Sequence, residues 1–356
     1  MPEWTKGADS KSAEGVLNPF RGFESPLLRV LNAMRNYNVK KLKILELLAQ
    51  APCISGEVLA QRLEISRTAV WKYIKALKEE GYPIVTTKKG YSLSTTSDLI
   101  LPENIEKALE THKINLINKV YYFRSVSSTM EVAKELAEKE KNFLVIAEKQ
   151  TAGRGRLGRP WISNEGGIWM SLLIRPYFSL RESFILTYLA SLCVCQALRQ
   201  ITNLSFYLKW PNDVVFLTND EIKKVAGILL ELKAEVDKID YAIIGIGINV
   251  NNQINSFEPT GISLKELTNR LWNRTDIIIE IMKNFYHYFQ VKPEEILNEW
   301  KQLCLTLGKK VKIIRPQGEL IGKALDIAED GALWLEAENQ RAVKIYSGDC
   351  IHLRVA

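Results

Sequence analysis

Three arginines lie close together in one segment, Gln150-Thr151-Ala152-Gly153-Arg154-Gly155-Arg156-Leu157-Gly158-Arg159-Pro160-Trp161. The spacing G-x-G-x-x-G occurs in it, but a dinucleotide-binding fingerprint also needs a helix that opens at the third glycine. Pro160 indicates a long loop instead, and no Gly-Lys-Ser/Thr follows to make a P-loop. What remains is a flexible loop whose guanidinium groups could surround an anionic ligand, such as a triphosphate, and become ordered around it. A solvated basic loop has equal weight on this segment alone.

Three further segments change that balance. Lys209-Trp210-Pro211-Asn212-Asp213 places a lysine at a strand end before a tight turn, where its charge can offset charge that develops on phosphates. The strand-like runs at 224–229 and 245–250 carry glycines where a side chain would obstruct a ligand lying on the sheet. Ser127-Ser128-Thr129 supplies hydroxyls at a predicted helix start. Each segment alone is typical of ordinary packing, and only the set favours a ligand site.

Composition excludes several other kinds of site. The chain has five cysteines without a C-x-x-C pair, and three histidines, none beside a serine or cysteine nucleophile motif. A disulfide framework, a zinc site and a hydrolase triad are therefore excluded, and we predict no metal held in a dedicated protein site. Neither a run of 18 apolar residues nor a hydrophobic signal core occurs, which indicates a cytoplasmic protein without membrane association.

Length and charge indicate how these segments are organised. The 356 residues are enough for two or three domains, with 48 Lys+Arg against 41 Asp+Glu. From Lys40 to Gly90, ten basic and five acidic residues contribute +5 of the net +7, which favours a polyanionic partner near the N-terminus.

Residues 1–33 have no helical or strand period, and we predict a disordered or non-native tail. Reverse translation of Arg21-Gly22-Phe23-Glu24-Ser25-Pro26 as CGG GGG TTC GAA TCC CCC spells the T arm of a transfer RNA. We therefore interpret the tail as a read-through of an upstream tRNA gene and expect translation to start at Met34. A native peptide from before Met34 would contradict this.

Residues 34–97 have the pattern of a DNA-binding domain. Ser55 and Ser66 are good N-caps for two short helices, and strand-like runs flank the basic turn Lys88-Lys89-Gly90. Three helices and a hairpin predict a winged helix-turn-helix, with its third helix in a major groove and its wing on phosphates. The alternative is a small helical adaptor with a solvated basic face. The residues predicted to meet DNA are Ser66, Arg67, Thr68, Trp71, Lys72, Lys88 and Lys89.

The remainder of the chain predicts two more domains, so that the fold class is α+β. In residues 98–305, apolar strand-like runs at 120–123, 143–147, 168–174, 225–232 and 241–250 are interspersed with helical stretches, which predicts a mixed domain on one sheet. From 306 to 356, short alternating runs at 311–314, 320–326, 332–337 and 341–345 are separated by turn residues, which predicts a small β-barrel.

The motifs and their order resemble the biotin-protein ligase family. The resemblance is carried by S-S-T at 127–129, G-R-G-R-x-G-R-x-W at 153–161, K-W-P-N-D at 209–213, K-x-A-G-I-L at 224–229 and G-I-G-I-N-V at 245–250. S-R-T-A-V-W-K-Y-I at 66–74 is similar to the winged helix of bifunctional members, which also repress the biotin operon. The resemblance covers Met34 to the C-terminus, and it implies a central ligase domain and a C-terminal SH3-like barrel.

The resemblance implies a two-step reaction. Biotin and ATP give biotinyl-5′-adenylate and pyrophosphate, with Mg²⁺ accompanying ATP, and a lysine of the biotin carboxyl carrier protein of acetyl-CoA carboxylase then attacks the mixed anhydride. Lys209 and Arg156 are the implied catalytic residues. The implied biotin-binding residues are Ser128, Thr129, Met130, Gln150, Gly153, Arg154, Gly155, Arg156, Lys209 and Gly227. The implied adenylate- or ATP-binding residues are Arg154, Arg156, Trp161, Lys209, Asn212, Gly245, Gly247 and Asn249.

One position departs from the family pattern, and two other functions stay open. Met130 stands where many members have asparagine, so no amide hydrogen bond is available and the side chain is expected only to pack. A lipoate-protein ligase shares the catalytic fold but is disfavoured by the winged helix. A biotin-sensing DNA-binding regulator without ligase activity is disfavoured by the presence of Arg156 and Lys209.

The small DNA-contact area of a single winged-helix domain predicts that the protein binds its operator as an oligomer. A single module touches too few phosphates and bases for useful specificity at physiological salt. We therefore expect biotin and ATP to promote a homodimer that binds a palindromic operator.

Overall fold

The computed structural model describes residues 39–79, 82–94, 98, 100–176, 179–218, 221–236, 238–337 and 341–353. The chain divides into two compact units, Met1–Thr95 and Thr96–Ala356. The tail predicted for residues 1–33 and the start expected at Met34 lie outside the described residues.

The first unit has the predicted helices and hairpin. Residues 39–49 are helical (α1), followed by α2 (Gly56–Leu63), α3 (Arg67–Glu79) and the antiparallel strands β1 (Ile84–Thr87) and β2 (Gly90–Leu93). Ser55 Oγ accepts from the backbone N–H of Val58 at 3.2 Å, and Ser66 Oγ accepts from that of Ala69 at 3.1 Å, so both predicted N-caps are confirmed. The buried core consists of residues including Ile44, Leu45, Leu48, Leu59, Val70, Ile74 and Leu77.

Most of the second unit is built on one seven-stranded sheet, as the sequence predicts for residues 98–305. Its strand order is β3-β4-β5-β9-β8-β7-β6, and only the β3–β4 pair is parallel. All seven residues of β5 are buried, as expected of an apolar run without alternation. The strands are β3 (Val120–Phe123), β4 (Phe143–Ala147), β5 (Ile168–Ile174), β6 (Phe206–Lys209), β7 (Asp213–Thr218), β8 (Glu221–Glu235) and β9 (Lys238–Ile248).

The described part of this unit has six α-helices, and five of them contact the sheet or one another. The six are α4 (Pro102–Thr111), α5 (Thr129–Leu136), α6 (Ile185–Thr202), α7 (Leu264–Thr268), α8 (Arg274–Tyr288) and α9 (Pro293–Gln302). By length and apolar composition α6 could cross a membrane, and it is the one such helix among the described residues. Two thirds of it is buried, however, and it contacts α8 and α9, as the core helix of a globular unit does.

The C-terminal residues form a five-stranded antiparallel sheet of order β13-β12-β11-β10-β14. A register shift between Ala324 and Asp326 marks a bulge in β11, a feature that bends a strand. Four of these strands follow the predicted alternating runs, whereas the last was not predicted. The strands are β10 (Lys310–Arg315), β11 (Gly318–Ile327), β12 (Leu333–Ala337), β13 (Ala342–Ile345) and β14 (Asp349–His352).

A buried ion-pair network joins the start of the second unit to its core. Arg274, at the start of α8, is 4% exposed in its side chain, and its Nη1 lies 2.7 Å from Glu148 Oε2. Its Nε donates to Asp98, and its Nη1 also donates to the Gly167 carbonyl at 2.9 Å. Tyr122 donates a further hydrogen bond to Glu148 at 3.0 Å. Charge buried this deeply is tolerated only because each group is paired.

Candidate active site

A cavity of about 1200 Å³ lies in the second unit, lined by the arginine-rich loop, by β6–β9 and by β14. Gly153 does not line it, because this glycine packs behind the loop: a Cβ there would lie 2.5 Å from Ser163 Oγ. The other predicted ligand residues all do, namely Ser128, Thr129, Met130, Gln150, Arg154, Gly155, Arg156, Trp161, Lys209, Asn212, Gly227, Gly245, Gly247 and Asn249.

Hydrogen-bonding side chains on the cavity wall are connected to each other and to residues behind the wall. Gln150 Oε1 accepts from Thr129 N at 2.8 Å and from Thr129 Oγ1 at 3.1 Å, while Gln150 Nε2 donates to Ser163 Oγ at 2.9 Å. Thr129 Oγ1 also lies 2.7 Å from Ser171 Oγ. Ser128 Oγ accepts from the N–H of Met130 and so caps α5. These contacts fix the amide and the hydroxyls before any ligand enters.

Met130 packs against the sheet at Gly245. The Met130 side chain is buried, and a Cβ at Gly245 would lie 2.7 Å from its Sδ. The glycine was predicted to leave room for a ligand, whereas here it makes room for the thioether. Met130 therefore shapes the cavity floor without offering a hydrogen bond of the kind that an amide would make.

Trp161 occupies the space over two other predicted glycines. A Cβ at Gly247 would lie 2.5 Å from the indole Nε1, and one at Gly227 would lie 3.2 Å from its ring. The Lys224 ammonium lies 4.9 Å from the ring centroid. The indole Nε1 is buried and has no hydrogen-bond partner in the described part of the chain. Its N–H is thus free to donate to a ligand.

Arg154 binds two carboxylates instead of facing an open anion site. Its Nη2 donates to Glu131 and, at 3.1 Å, to Glu231 Oε1. Lys134 lies 2.6 Å from Glu231 and completes the cluster. The hydrogen bond from Arg154 holds the pKa of Glu131 below its usual value. The arginine is therefore compensated locally, and it fastens the loop to α5 and β8.

Lys209 and Arg156 have no carboxylate partner within the described ranges. Arg156 Nη1 donates to Asn212 Oδ1 at 3.3 Å and to the Gly348 carbonyl at 3.4 Å, and burial lowers the pKa of its guanidinium. An anion that enters the cavity therefore meets positive charge at two side chains without a direct ion pair, although Asp349 and Asp213 lie near enough to attract Arg156. Four other cations of the wall are paired, Arg154 as above, Arg159 with Asp349, Lys223 with Glu221 and Lys224 with Asp213.

The first unit carries a separate groove of about 480 Å³ between its helices and its hairpin. Trp71 is 54% exposed on α3, and Lys78 on the same helix donates to Thr86 of β1 at 2.7 Å, which braces the hairpin. Ser66 and Lys72 lie outside the groove. The predicted DNA contacts that line it are Arg67, Thr68, Trp71, Lys88 and Lys89.

Comparison with known proteins shows the same three parts in the same order. Residues 40–92 match an HTH domain, 122–249 the biotin/lipoate A/B protein ligase family and 306–353 the biotin protein ligase C-terminal domain. The chain is 38% identical over 320 residues to the bifunctional ligase/repressor BirA of Bacillus subtilis, covering 86% of this chain and 96% of that one. The chain belongs to the bifunctional biotin-protein ligase and repressor family.

Other members of this family match over most of their length. The bifunctional ligase/repressor BirA of Escherichia coli is 28% identical over 331 residues, covering 90% of this chain and 98% of that one. The biotin protein ligase of Aquifex aeolicus, solved in complex with biotin and ATP, superposes with a TM-score of 0.55 at 32% identity, covering 66% of this chain and 99% of that one. The predicted family and fold class are thereby confirmed.

Three residues at the site were missed by sequence reasoning: Ser171, which contacts Thr129 but does not itself line the cavity, and the cavity residues Lys309 and His352. Ser171 is the one polar residue of β5, and a lone serine within a fully apolar run is a signal that could have marked it. Lys309 and His352 gave no signal, because only the fold brings the C-terminal sheet to the cavity.

Proposed function

We propose that this protein activates biotin with ATP, transfers it to a lysine of biotin carboxyl carrier protein, and binds operator DNA through its winged helix. The observation that carries the ligase function is one cavity whose wall holds both connected hydrogen-bonding side chains and the cations Lys209 and Arg156, which have no carboxylate partner among the described residues. A small acid and a nucleotide phosphate need such a combination of groups. We place the reaction in the cytoplasm.

The first step joins biotin to the nucleotide. A carboxylate oxygen of biotin attacks the α-phosphorus of ATP, the bond from that phosphorus to the bridging oxygen breaks, and pyrophosphate leaves with the electron pair. Charge builds on the phosphate oxygens, and the unpaired ammonium of Lys209 can stabilise it without first giving up a protein partner. Mg²⁺ would enter with ATP as part of that substrate and would offset negative charge on its phosphates.

The second step transfers the acyl group. The neutral amine of the acceptor lysine attacks the carbonyl carbon of the adenylate, the bond from that carbon to the AMP oxygen breaks, and AMP leaves as the amine loses a proton. The product is an amide. Arg156 and Asn212 hold the AMP portion during this step, because their mutual hydrogen bond positions the guanidinium at the cavity wall.

The connected polar groups suit the ureido head of biotin, which offers two N–H donors and one carbonyl acceptor. Ser128, Thr129 and Gln150 supply hydroxyls and an amide that both donate and accept. Adenylate binding also requires space where Trp161 covers Gly227 and Gly247, so we expect the indole to shift or to stack on the ligand. The other nucleotide contacts are assigned to Gly155, to Asn249 and to the main chain of Gly245, which lines the cavity although Met130 covers its Cβ position.

The direct test mixes the protein with ATP, Mg²⁺, biotin and a biotin carboxyl carrier domain. We expect the acceptor to gain the mass of biotin less one water, and we expect no gain when its target lysine is replaced by arginine. Lipoic acid in place of biotin is the matched control. Modification with lipoic acid but not with biotin would contradict the proposal in favour of a lipoate ligase.

Replacing Arg156 by glycine should cause release of the adenylate. The loop would lose a guanidinium that can bind the phosphate, and a lost hydrogen bond to a charged group costs about 1.5–3 kcal/mol, roughly ten- to a hundredfold in dissociation rate. Mass spectrometry of a bystander protein should then detect biotinylated lysines. Arg159→Gly is the control in the same loop, since Arg159 is 60% exposed and already paired with Asp349. Unchanged adenylate retention in Arg156→Gly would contradict this role.

The winged helix is proposed to read DNA with α3 and to touch phosphates with its hairpin. Replacing Lys88 and Lys89 together by alanine should weaken binding to every sequence and reduce the slope of log affinity against log salt by about 1.8, about 0.9 for each lost phosphate contact. Arg67→Ala should also alter sequence preference. Lys43→Ala removes an exposed charge from α1 and serves as control. Gel-shift titrations of these three variants measure the changes. An unchanged slope of log affinity against log salt in the Lys88/Lys89 double variant would contradict the proposed hairpin contacts with phosphates.

Biotin together with ATP should promote a homodimer. The adenylate is expected to order residues 153–158, and two winged helices joined in this way can meet a palindromic operator. Sedimentation velocity with neither, either and both ligands measures the effect. We expect the dimer only with both ligands. Assembly that ignores the ligands, or an assembled form that fails to bind the operator, would refute ligand-controlled repression.

A further inference from the structure

A third unpaired cation lines the same cavity from the C-terminal domain. The Lys309 side chain belongs to the cavity wall and, within the part of the chain that the structure describes, has no carboxylate partner. It differs in this from Arg154, Arg159, Lys223 and Lys224, whose charges are compensated. Arg156, Lys209 and Lys309 are therefore the described wall residues that bring net positive charge to the cavity.

Thr306 fixes Lys309 relative to Lys209. The Thr306 side chain is fully buried, and its Oγ1 accepts from the backbone N–H of Trp210, the residue after Lys209, at 3.1 Å. The Thr306 carbonyl accepts from the backbone N–H of Lys309 at 3.2 Å. One residue thus ties the end of β6 to the turn that carries Lys309, so that the two lysines are attached to a common rigid point.

His352 lies with the two lysines and stays uncharged. Its Nε2 is 3.1 Å from Thr306 Oγ1, and it lines the cavity. Burial, with Lys209 and Lys309 adding repulsion, lowers the pKa of His352 to about 4. At neutral pH the imidazole therefore adds no third positive charge here, and it remains able to accept or donate a hydrogen bond.

We propose that Lys309 binds the pyrophosphate portion of ATP and the leaving pyrophosphate, an inference that rests on the proposed ligase function. Pyrophosphate carries more negative charge than the single ammonium of Lys209 can offset, and Lys209 is needed at the α-phosphate. A second, unpaired ammonium anchored beside it supplies the remaining positive charge. Lys309 thereby contributes a substrate contact to the first half-reaction and none to the second, because pyrophosphate has left before transfer.

The test separates the two half-reactions in the full-length protein. For Lys309→Ala we expect the KM for pyrophosphate in biotin-dependent ATP–pyrophosphate exchange and the KM for ATP each to rise about tenfold. The KM for biotin and the rate of transfer from separately prepared biotinyl-5′-adenylate to the carrier domain should stay at the parent values. Lys309→Arg should restore most of the affinity for pyrophosphate.

Lys323→Ala is the matched control, since Lys323 is an exposed lysine of the same domain that does not line the cavity. KM values for pyrophosphate and for ATP that are unchanged from the parent protein in Lys309→Ala would overturn the inference. Slower transfer from the prepared adenylate would overturn it also and would place Lys309 on the carrier-protein contact. Absence of exchange in the parent protein would instead be a failure of the proposed ligase function.

Discussion

Lys209→Ala should reduce the rate of adenylate formation by about 10² to 10³, because removing one group that stabilises charge in a transition state often costs this much. Lys209 ends β6 at the cavity wall, and its ammonium is bound to no other described side chain. Its whole charge is therefore available to the α-phosphate and to the oxygen that leaves. The measurement is the single-turnover rate of biotinyl-5′-adenylate formation at saturating biotin and ATP.

Lys223→Ala is the matched control for this variant. Lys223 also lines the cavity, but its ammonium lies 2.8 Å from Glu221 and donates to the Pro259 carbonyl at 2.9 Å. We expect its removal to change the rate less than threefold, since a compensated surface charge contributes little. Thermal unfolding of both variants separates chemistry from folding. A folded Lys209→Ala protein with a near-normal rate would show that the assigned role is wrong.

Arg274→Ala should lower the free energy of unfolding of the second unit by about 3–5 kcal/mol, the cost of leaving a buried partner charge uncompensated. Glu148 is 2% exposed and would lose the guanidinium that lies 2.7 Å away. Asp98 and the Gly167 carbonyl would lose hydrogen bonds as well. Urea unfolding followed by the fluorescence of buried tryptophans such as Trp169 and Trp300 measures the change.

Lys283→Ala provides the comparison from the same helix. Lys283 pairs with Glu280 at 2.8 Å, but its side chain is 37% exposed, so solvent screens the pair. We therefore expect Lys283→Ala to lower the free energy of unfolding by less than about 1 kcal/mol. If the two variants lost equal free energy of unfolding, burial would not be the reason that the Arg274 network stabilises the protein.

The sequence predicted the elements whose residues show a clear period or a distinct cap. The apolar runs at 120–123, 143–147 and 168–174 became strands with those limits, and Ser55 and Ser66 became caps, because local chemistry decides both features. Four strands of the C-terminal sheet were also anticipated from their turns. The strand Asp349–His352 was not, because four residues without strong alternation give no such pattern.

The predicted ligand residues other than Gly153 line one cavity, but the contacts among them could not be predicted. Gly227, Gly245 and Gly247 were correctly singled out as positions that need space, yet the sequence cannot say that Trp161 and Met130 fill that space. Likewise, the sequence alone cannot distinguish the three arginines of the loop from one another. Only tertiary structure pairs Arg154 and Arg159 with carboxylates from distant elements, whereas Arg156 has no such ion pair among the described residues.

Biotin-dependent exchange of labelled pyrophosphate into ATP tests the central claim most directly, because it requires the first chemical step and its reversal and needs no acceptor protein. We predict exchange by the parent protein with biotin and Mg²⁺, and none when biotin is omitted or replaced by lipoic acid. A folded parent protein that binds biotin but gives no biotin-dependent exchange would contradict the assignment of this cavity as a biotin-activating site.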